Sequence, residues 1–141
     1  MKWEEQIPES EITESVTEVT VDFAKRFGKH LGVDDKISDG RRMRTVREKL
    51  TTNQLRRFFG EVKRQQMRGY KSTDFIVLKP KLAYAVGRSK GKDPKIKDFY
   101  SVIINAMDKV KEEVHFRNFI KFFEAIVAYH KASEEGKLDI N

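Results

Sequence analysis

FRNFIKFFEAIVAYHK, residues 116–131, is the stretch on which the fold turns. Phe116, Phe119, Ile120, Phe123 and Val127 recur at helical spacing, and Phe122, Ile126 and Tyr129 mark a second face. A helix that is apolar nearly all round has to be covered, either by its own domain or by a second copy. Working back along the chain, Asp93-Pro94 is a start signal, a carboxylate cap followed by proline. It opens a helix whose Ile96, Phe99, Tyr100, Ile103, Met107, Val110 and Val114 fall on one stripe.

Further back, Pro80 suits the first position of a helix that reaches Val86 and ends at Gly87. The FIVL run within residues 70–78 has no evident partner strand and reads as a buried connector. Thr51 with Gln54 forms a capping-box pattern, predicting a helix to about Arg68 with Gly69 as its stop. Leu55, Phe58, Phe59 and Val62 make its core stripe, while Arg57, Arg64 and Arg68 share another face with Glu61 as the one acid. Gly60 sits mid-helix, for a close helix crossing or simply by tolerance. Residues 41–50 place Met43, Val46 and Leu50 at i, i+3 and i+7, which predicts a short cationic helix, and residues 34–40 read as a loop. Residues 13–31 carry Val16, Val19, Phe23, Phe27 and Leu31 at helical spacing, with Thr13 as the cap and Gly32 as the end. The alternation of Val19, Val21 and Phe23 leaves a strand open, but a helix is preferred. The expected fold is all-α, a compact bundle of five to six antiparallel helices with short connections. One helical domain covers residues 11–131, between a frayed acidic N-terminus at 1–10 and a polar C-terminal tail at 132–141.

Composition narrows the function. The 141 residues are 38% hydrophobic with ten Phe, enough for a core. There is no cysteine, which excludes disulfides, thiolate zinc sites and cysteine nucleophiles. The acidic MKWEEQIPES lacks the apolar segment of a secretory signal. No apolar run approaches the roughly 18–20 residues of a membrane span. A soluble, cytoplasmic protein without membrane association is expected. The three histidines at 30, 115 and 130 do not pair at i+3 or i+4, and His130 reads as a packed histidine. Asp34, Asp35 and Asp39 fit a solvated loop better than a hard-cation site. GRSKGKD at 87–93 has three residues between its glycines where a phosphate loop needs four, and Asp93 where Ser or Thr is required. No catalytic residues, metal or cofactor are assigned, and no enzyme is expected.

The net charge of +7 is unevenly laid out: −6 over residues 1–22, +14 over 36–97 and −2 over 98–141. Such a cationic block suits nucleic acid, an anionic membrane or an acidic protein, or is merely a solvated face. In LKPKLAYAVGRSKGK (78–92), Leu82, Ala83 and Val86 fall on one side of the helix from Pro80, and Lys81, Ala85 and Arg88 on a second. Lys79 precedes that helix; Lys90 and Lys92 follow it. Phosphates need only such placed charges with backbone donors, and their condensed counterions are released on binding. Tyr84 is a ring that either stacks on a base or packs at a core edge with its hydroxyl outward. No RNP-type strand or GXXG loop is present, so the pattern suits backbone tracking rather than base reading. Two other classes remain open: a DNA-binding regulator reading with helices 41–68, and a scaffold that binds protein only.

LTTNQLRRFFGEVKR (50–64), LKPKLAYAVGR (78–88) and FIKFFEAIVAYHK (119–131), in this order and spacing, resemble the small subunit of type III-A CRISPR–Cas effectors, the Csm complex. The resemblance covers about residues 45–131. It implies a small helical protein without catalytic activity, copies of which stack along guide RNA and paired target RNA as an inner filament. The implied partners are those RNAs, other Csm subunits and further copies of itself, with a homodimer expected for the chain alone. The family's basic surface maps onto Arg56, Arg57, Lys63, Arg64, Lys79, Lys81 and Arg88. Arg41, Arg42, Arg44 and Arg47 join the candidate RNA-binding set on charge alone.

Overall fold

Ten residues separate the first buried side chain, Ile7, from the first long helix, and they decide how the chain enters its core. The computed structural model describes residues 1–89 and 91–136. A single 3-10 turn (Trp3–Gln6) leads to α1 (Ser10–Thr13) and then α2 (Glu18–Gly32). The α2 helix begins at a Thr17 cap, four residues after the predicted Thr13. The reason lies in α1, which buries Glu11 against the new helix start. The Glu11 carboxylate accepts from the Thr17 and Thr20 amides at 2.9 and 3.1 Å and from both hydroxyls at 2.7 Å. These bonds satisfy orphan N–H groups at a helix N-terminus, where negative charge is favoured. Burial pushes the Glu11 carboxyl up, and the four hydrogen bonds outweigh it, so its pKa lies below the ordinary value. From the N-terminal segment, Trp3 packs on Phe23 and Phe27 and stacks on His30 at 5.0 Å.

After α2 comes the main departure from the all-α expectation. Residues read as a loop and a short helix form an antiparallel hairpin, β1 (Asp35–Asp39) and β2 (Arg42–Arg47). Ile37 pairs with Arg44, Ser38 with Met43 and Asp39 with Arg42. Gly40-Arg41 makes the two-residue turn between Asp39 and Arg42, with Gly40 at φ +68°, a conformation that glycine adopts without a Cβ penalty. Met43 lies 65% exposed, so its spacing to Val46 is not a core stripe.

The chain is otherwise mostly helical. α3 (Thr52–Arg68) follows the predicted bounds, and its capping box closes with Gln54 N donating to the Thr51 hydroxyl and Thr51 N donating to Gln54 Oε1. The presumed buried connector is a short helix, α4 (Ser72–Ile76), which buries Phe75 but leaves Ile76 and Val77 exposed. α5 (Leu78–Gly87) starts two residues before Pro80. α6 (Ile96–Met107) begins past Asp93, whose φ of +20° removes it from a capping role. α7 (Glu113–Glu134) is longer than predicted and includes the first residues of the presumed tail. Residues 137–141 of that tail lie outside the described residues.

α7 is covered by its own domain. Phe116, Phe119, Ile120, Phe122, Phe123 and Ile126 are all buried, against α1, α2, α3 and α6. Phe23 of α2 stacks on Phe122 at 5.9 Å, and Phe58 of α3 on Phe123 at 5.8 Å. Such offset rings add to simple area burial. The α2–α7 crossing is close enough to require glycine. A Cβ on Gly28 would lie 2.6 Å from Tyr129 Cβ, and one on Gly32 2.9 Å from Ser133 Cβ. Gly60 has open space, so its place in α3 is tolerance, not a crossing. Two polar side chains fix the remaining approach. Asn118 donates to the carbonyls of Ile12 and Glu14, and the buried His130 Nε2 donates to the Leu50 carbonyl.

Candidate nucleic-acid interface

The capping box that starts α3 also sets its phase. With Leu55, Phe58 and Val62 inward, Arg57, Glu61 and Arg64 come out on one face at i, i+4 and i+7. Burial of Leu78 and Leu82 phases α5 in the same way and turns Lys81, Tyr84, Ala85 and Arg88 outward. The two faces meet across a groove of about 400 Å³, with Phe58 and Ile96 in its lining and Gln54 and Ser89 at its margins.

Charge in the groove is partly spoken for. Glu61 pairs with Arg64, and its other oxygen lies 3.5 Å from Lys81 Nζ. The Arg88 guanidinium lies 5.6 Å from the centre of the Tyr84 ring, a cation–π distance. Arg57 has no carboxylate within ion-pair reach among the described residues. The groove therefore presents Arg57 and Arg88 as available cations, and Lys81 as a shared one.

The other predicted cations divide between two places. On α3, Arg56 is exposed, and Lys63 Nζ sits 5.8 Å from the Phe59 ring, off the groove. Lys79 points toward the end of α6, where its Nζ is 2.8 Å from Asp108 Oδ1; it lines a smaller cleft with Tyr70 and Ile76. Arg41, Arg42 and Arg44 are exposed along the hairpin, with Arg44 in loose contact with Asp39 at 3.8 Å. Because residues 41–47 form a turn and a strand, the two-helix reader that a DNA-binding regulator would need at 41–68 does not form. Lys90 lies outside the described residues.

Arg47 belongs to a different arrangement. Its guanidinium donates to Asp98 at 2.9 Å and lies 3.4 Å from Asp93, while His30 Nε2 shares the same Asp98 oxygen at 2.7 Å. The His30 hydrogen bond, together with Arg47, holds the Asp98 carboxyl below its ordinary pKa against the opposing effect of burial. Beside it the fully buried Lys95 donates to Asp35 at 2.7 Å and to the His30 carbonyl at 2.8 Å. Asp34 accepts from the Lys49 amide at 2.7 Å. Of the acidic residues weighed as a cation site, Asp35 ties the hairpin to Lys95, Asp34 joins the two flanks of the hairpin, and Asp39 lies near Arg44 beside the turn. No group of three or more His, Cys, Asp or Glu positioned for a metal occurs among the described residues.

Sequence reasoning put Arg57, Lys81 and Arg88 in the cationic set but gave no sign of the groove they line, because α3 and α5 are separated by α4 and meet only in three dimensions. Gln54 was legible only as a cap, and it serves at the groove margin as well. Among the described residues, no helix is long and apolar enough to cross a membrane. Neither a curated protein nor a solved structure matches this chain. A family model does, over residues 15–136, spanning the helical body and the whole cationic block: by that match the chain belongs to the Csm2 Type III-A family, the small subunit of the type III-A CRISPR effector complex.

Proposed function

We propose that the chain acts as a non-catalytic small subunit which grips the sugar–phosphate backbone of guide RNA and target RNA without sequence preference. Copies stack as part of an inner filament in a cytoplasmic ribonucleoprotein. Family membership already makes the other Csm subunits its partners. The observation that carries the RNA reading is the α3–α5 groove, in which Arg57 on one wall faces Lys81 and Arg88 on the other. Long cations on two walls suit phosphates at several positions along a strand, and a subunit that serves any guide needs no base code. Arg41, Arg42, Arg44 and Arg56 extend the positive surface, with Lys63 and Arg64 in supporting places. Arg47 and Lys79 are already engaged by Asp98 and Asp108 and are the weakest members of the set.

Self-association is proposed on charge. The exposed Glu5, Glu9, Glu14, Glu18 and Asp22 of one copy complement the exposed hairpin arginines of the next. The aromatic helix no longer argues for a homodimer, since its apolar faces are covered within the chain.

Filter binding of random single-stranded RNA, RNA duplex and DNA duplex across a salt series tests the reading. Expected is weak, sequence-blind RNA binding, falling with log salt by about 0.7 per contacted phosphate on single strands. Combined reversal of Arg57, Lys81 and Arg88 to Glu should weaken every RNA sequence alike. Unchanged binding by that variant, or a single preferred duplex sequence, refutes the proposal. Sedimentation at low salt and at about 0.5 M tests the stacking contact, which must weaken if charge drives it.

A further inference from the structure

The groove holds a feature that phosphate binding does not require. Tyr84 stands at its lip with 68% of its surface exposed, on a helix whose inward positions are filled by Leu78 and Leu82. Its ring adds nothing to the core, and next to it the groove lining is apolar, from Phe58, Ala85 and Ile96. Arg88 lies over the ring, yet the high exposure leaves aromatic surface for a second planar group. A volume of about 400 Å³ is that of a small-ligand cleft, and the base pairs of an intact duplex cannot be drawn into it.

Building on the groove reading above, we propose that this cleft receives one unpaired base of a single-stranded RNA, stacked on Tyr84, with Arg57 and Arg88 holding the phosphates on either side. Stacking on a tyrosine is sequence-tolerant because every base offers a π-face. The single carboxylate in the cleft, Glu61, is occupied by Arg64 and Lys81 and so is not free to select a base edge. Single strands and duplex therefore use the groove differently: both meet its cations, and only a single strand meets the ring.

The experiment compares three variants, Tyr84→Ala, Tyr84→Phe and the double reversal Arg57→Glu with Arg88→Glu, in fluorescence anisotropy titrations with oligo(U), oligo(A) and an RNA duplex of the same length. All three sites are exposed, and circular dichroism checks that each variant is folded. The alanine variant should lose about five- to a hundredfold in affinity for both single strands, the range for one stacked base, and should bind duplex as before. The phenylalanine variant should keep its affinity. Ultraviolet crosslinking of 5-bromouridine RNA should place the adduct on Tyr84. Equal binding of single strands by Tyr84→Ala and the parent, or equal losses on single strand and duplex, overturns the stacked base. If the double reversal still weakens every RNA, the groove reading survives that result; if it changes nothing, both fall together.

Discussion

Alanine at position 28 should destabilise the protein although alanine is the better helix former. The Cβ added to α2 would stand 2.6 Å from Tyr129 Cβ, 2.7 Å from the His130 amide nitrogen and 2.9 Å from the Tyr129 carbonyl carbon. Carbon atoms rest at about 3.5–4.0 Å, so α7 must retreat by about 1 Å, and two of the three obstacles are backbone that no rotamer change removes. Retreat loosens Phe122 and Ile126 together, because they ride on the same helix. Overpacking of this kind costs about 1–3 kcal/mol, and somewhat more where backbone is the obstacle. The helix-propensity gain of about 1 kcal/mol offsets part of it. A net loss of about 2 kcal/mol is expected for Gly28→Ala. Gly60→Ala supplies the control: it has the same propensity gain and nothing within 4 Å of the new Cβ, so it should stabilise by about 0.5–1 kcal/mol. Urea unfolding followed by circular dichroism measures both, with equal m-values licensing the comparison. A Gly28→Ala variant as stable as the parent, or a Gly60→Ala variant that is less stable, would refute the close-crossing account.

Three further outcomes follow from the geometry. Glu61→Gln releases Arg64 and Lys81 from their carboxylate and should tighten RNA binding several-fold, with a salt slope steeper by about one phosphate, in the titrations described above. Glu11→Ala removes the acceptor of four hydrogen bonds at the start of α2 and should cost about 2 kcal/mol in urea unfolding; since the folded carboxyl has a lowered pKa, that contribution is present above its unfolded value and disappears as pH falls through the folded one. Burial lowers the His130 pKa, against the opposing effects of the Leu50 carbonyl and Glu134, so the ring is neutral in the fold. Melting temperature should therefore hold above about pH 6.5 and decline as pH drops below it, and His130→Gln should flatten that decline.

Helices whose pattern and caps agree were legible in the sequence. Thr51, Gln54 and Gly69 bound α3 as predicted, because the capping box and the glycine stop are local events that need no partner. Most core positions of α6 and α7 were readable from their spacing, since burial follows periodicity wherever a helix is covered; Val114, placed on the α6 stripe, is instead exposed at the start of α7, because α6 ends at Met107. The hairpin was misread because Met43, Val46 and Leu50 mimic a helical stripe, while Gly40, which opens the two-residue turn, was read only as part of a loop. Val19 had been placed in a core stripe that shifts once Glu11 moves the cap to Thr17. Gly32 had been read as a stop, and its close approach to Ser133 depends on a helix a hundred positions away. Separation in sequence likewise concealed the ion pairs that engage Arg47 with Asp98 and Lys79 with Asp108. Charge density along a chain shows where cations are, and only the folded arrangement shows which of them are already neutralised.

The helix that fills the middle of this protein, α7, comes after every helix it packs against, so synthesis delivers it later than they do. Until α7 has left the ribosome, α2 and α3 have no Phe122 or Phe123 to close upon, and the carbonyls of Ile12, Glu14 and Leu50 lack their donors from Asn118 and His130. Until then the nascent chain carries Phe23, Phe27 and Phe58 incompletely covered, and a message cut short before α7 leaves a product that cannot complete its interior. Quality control is thereby built into the order of translation: only a chain read through α7 acquires the buried centre that keeps its aromatic surface out of water.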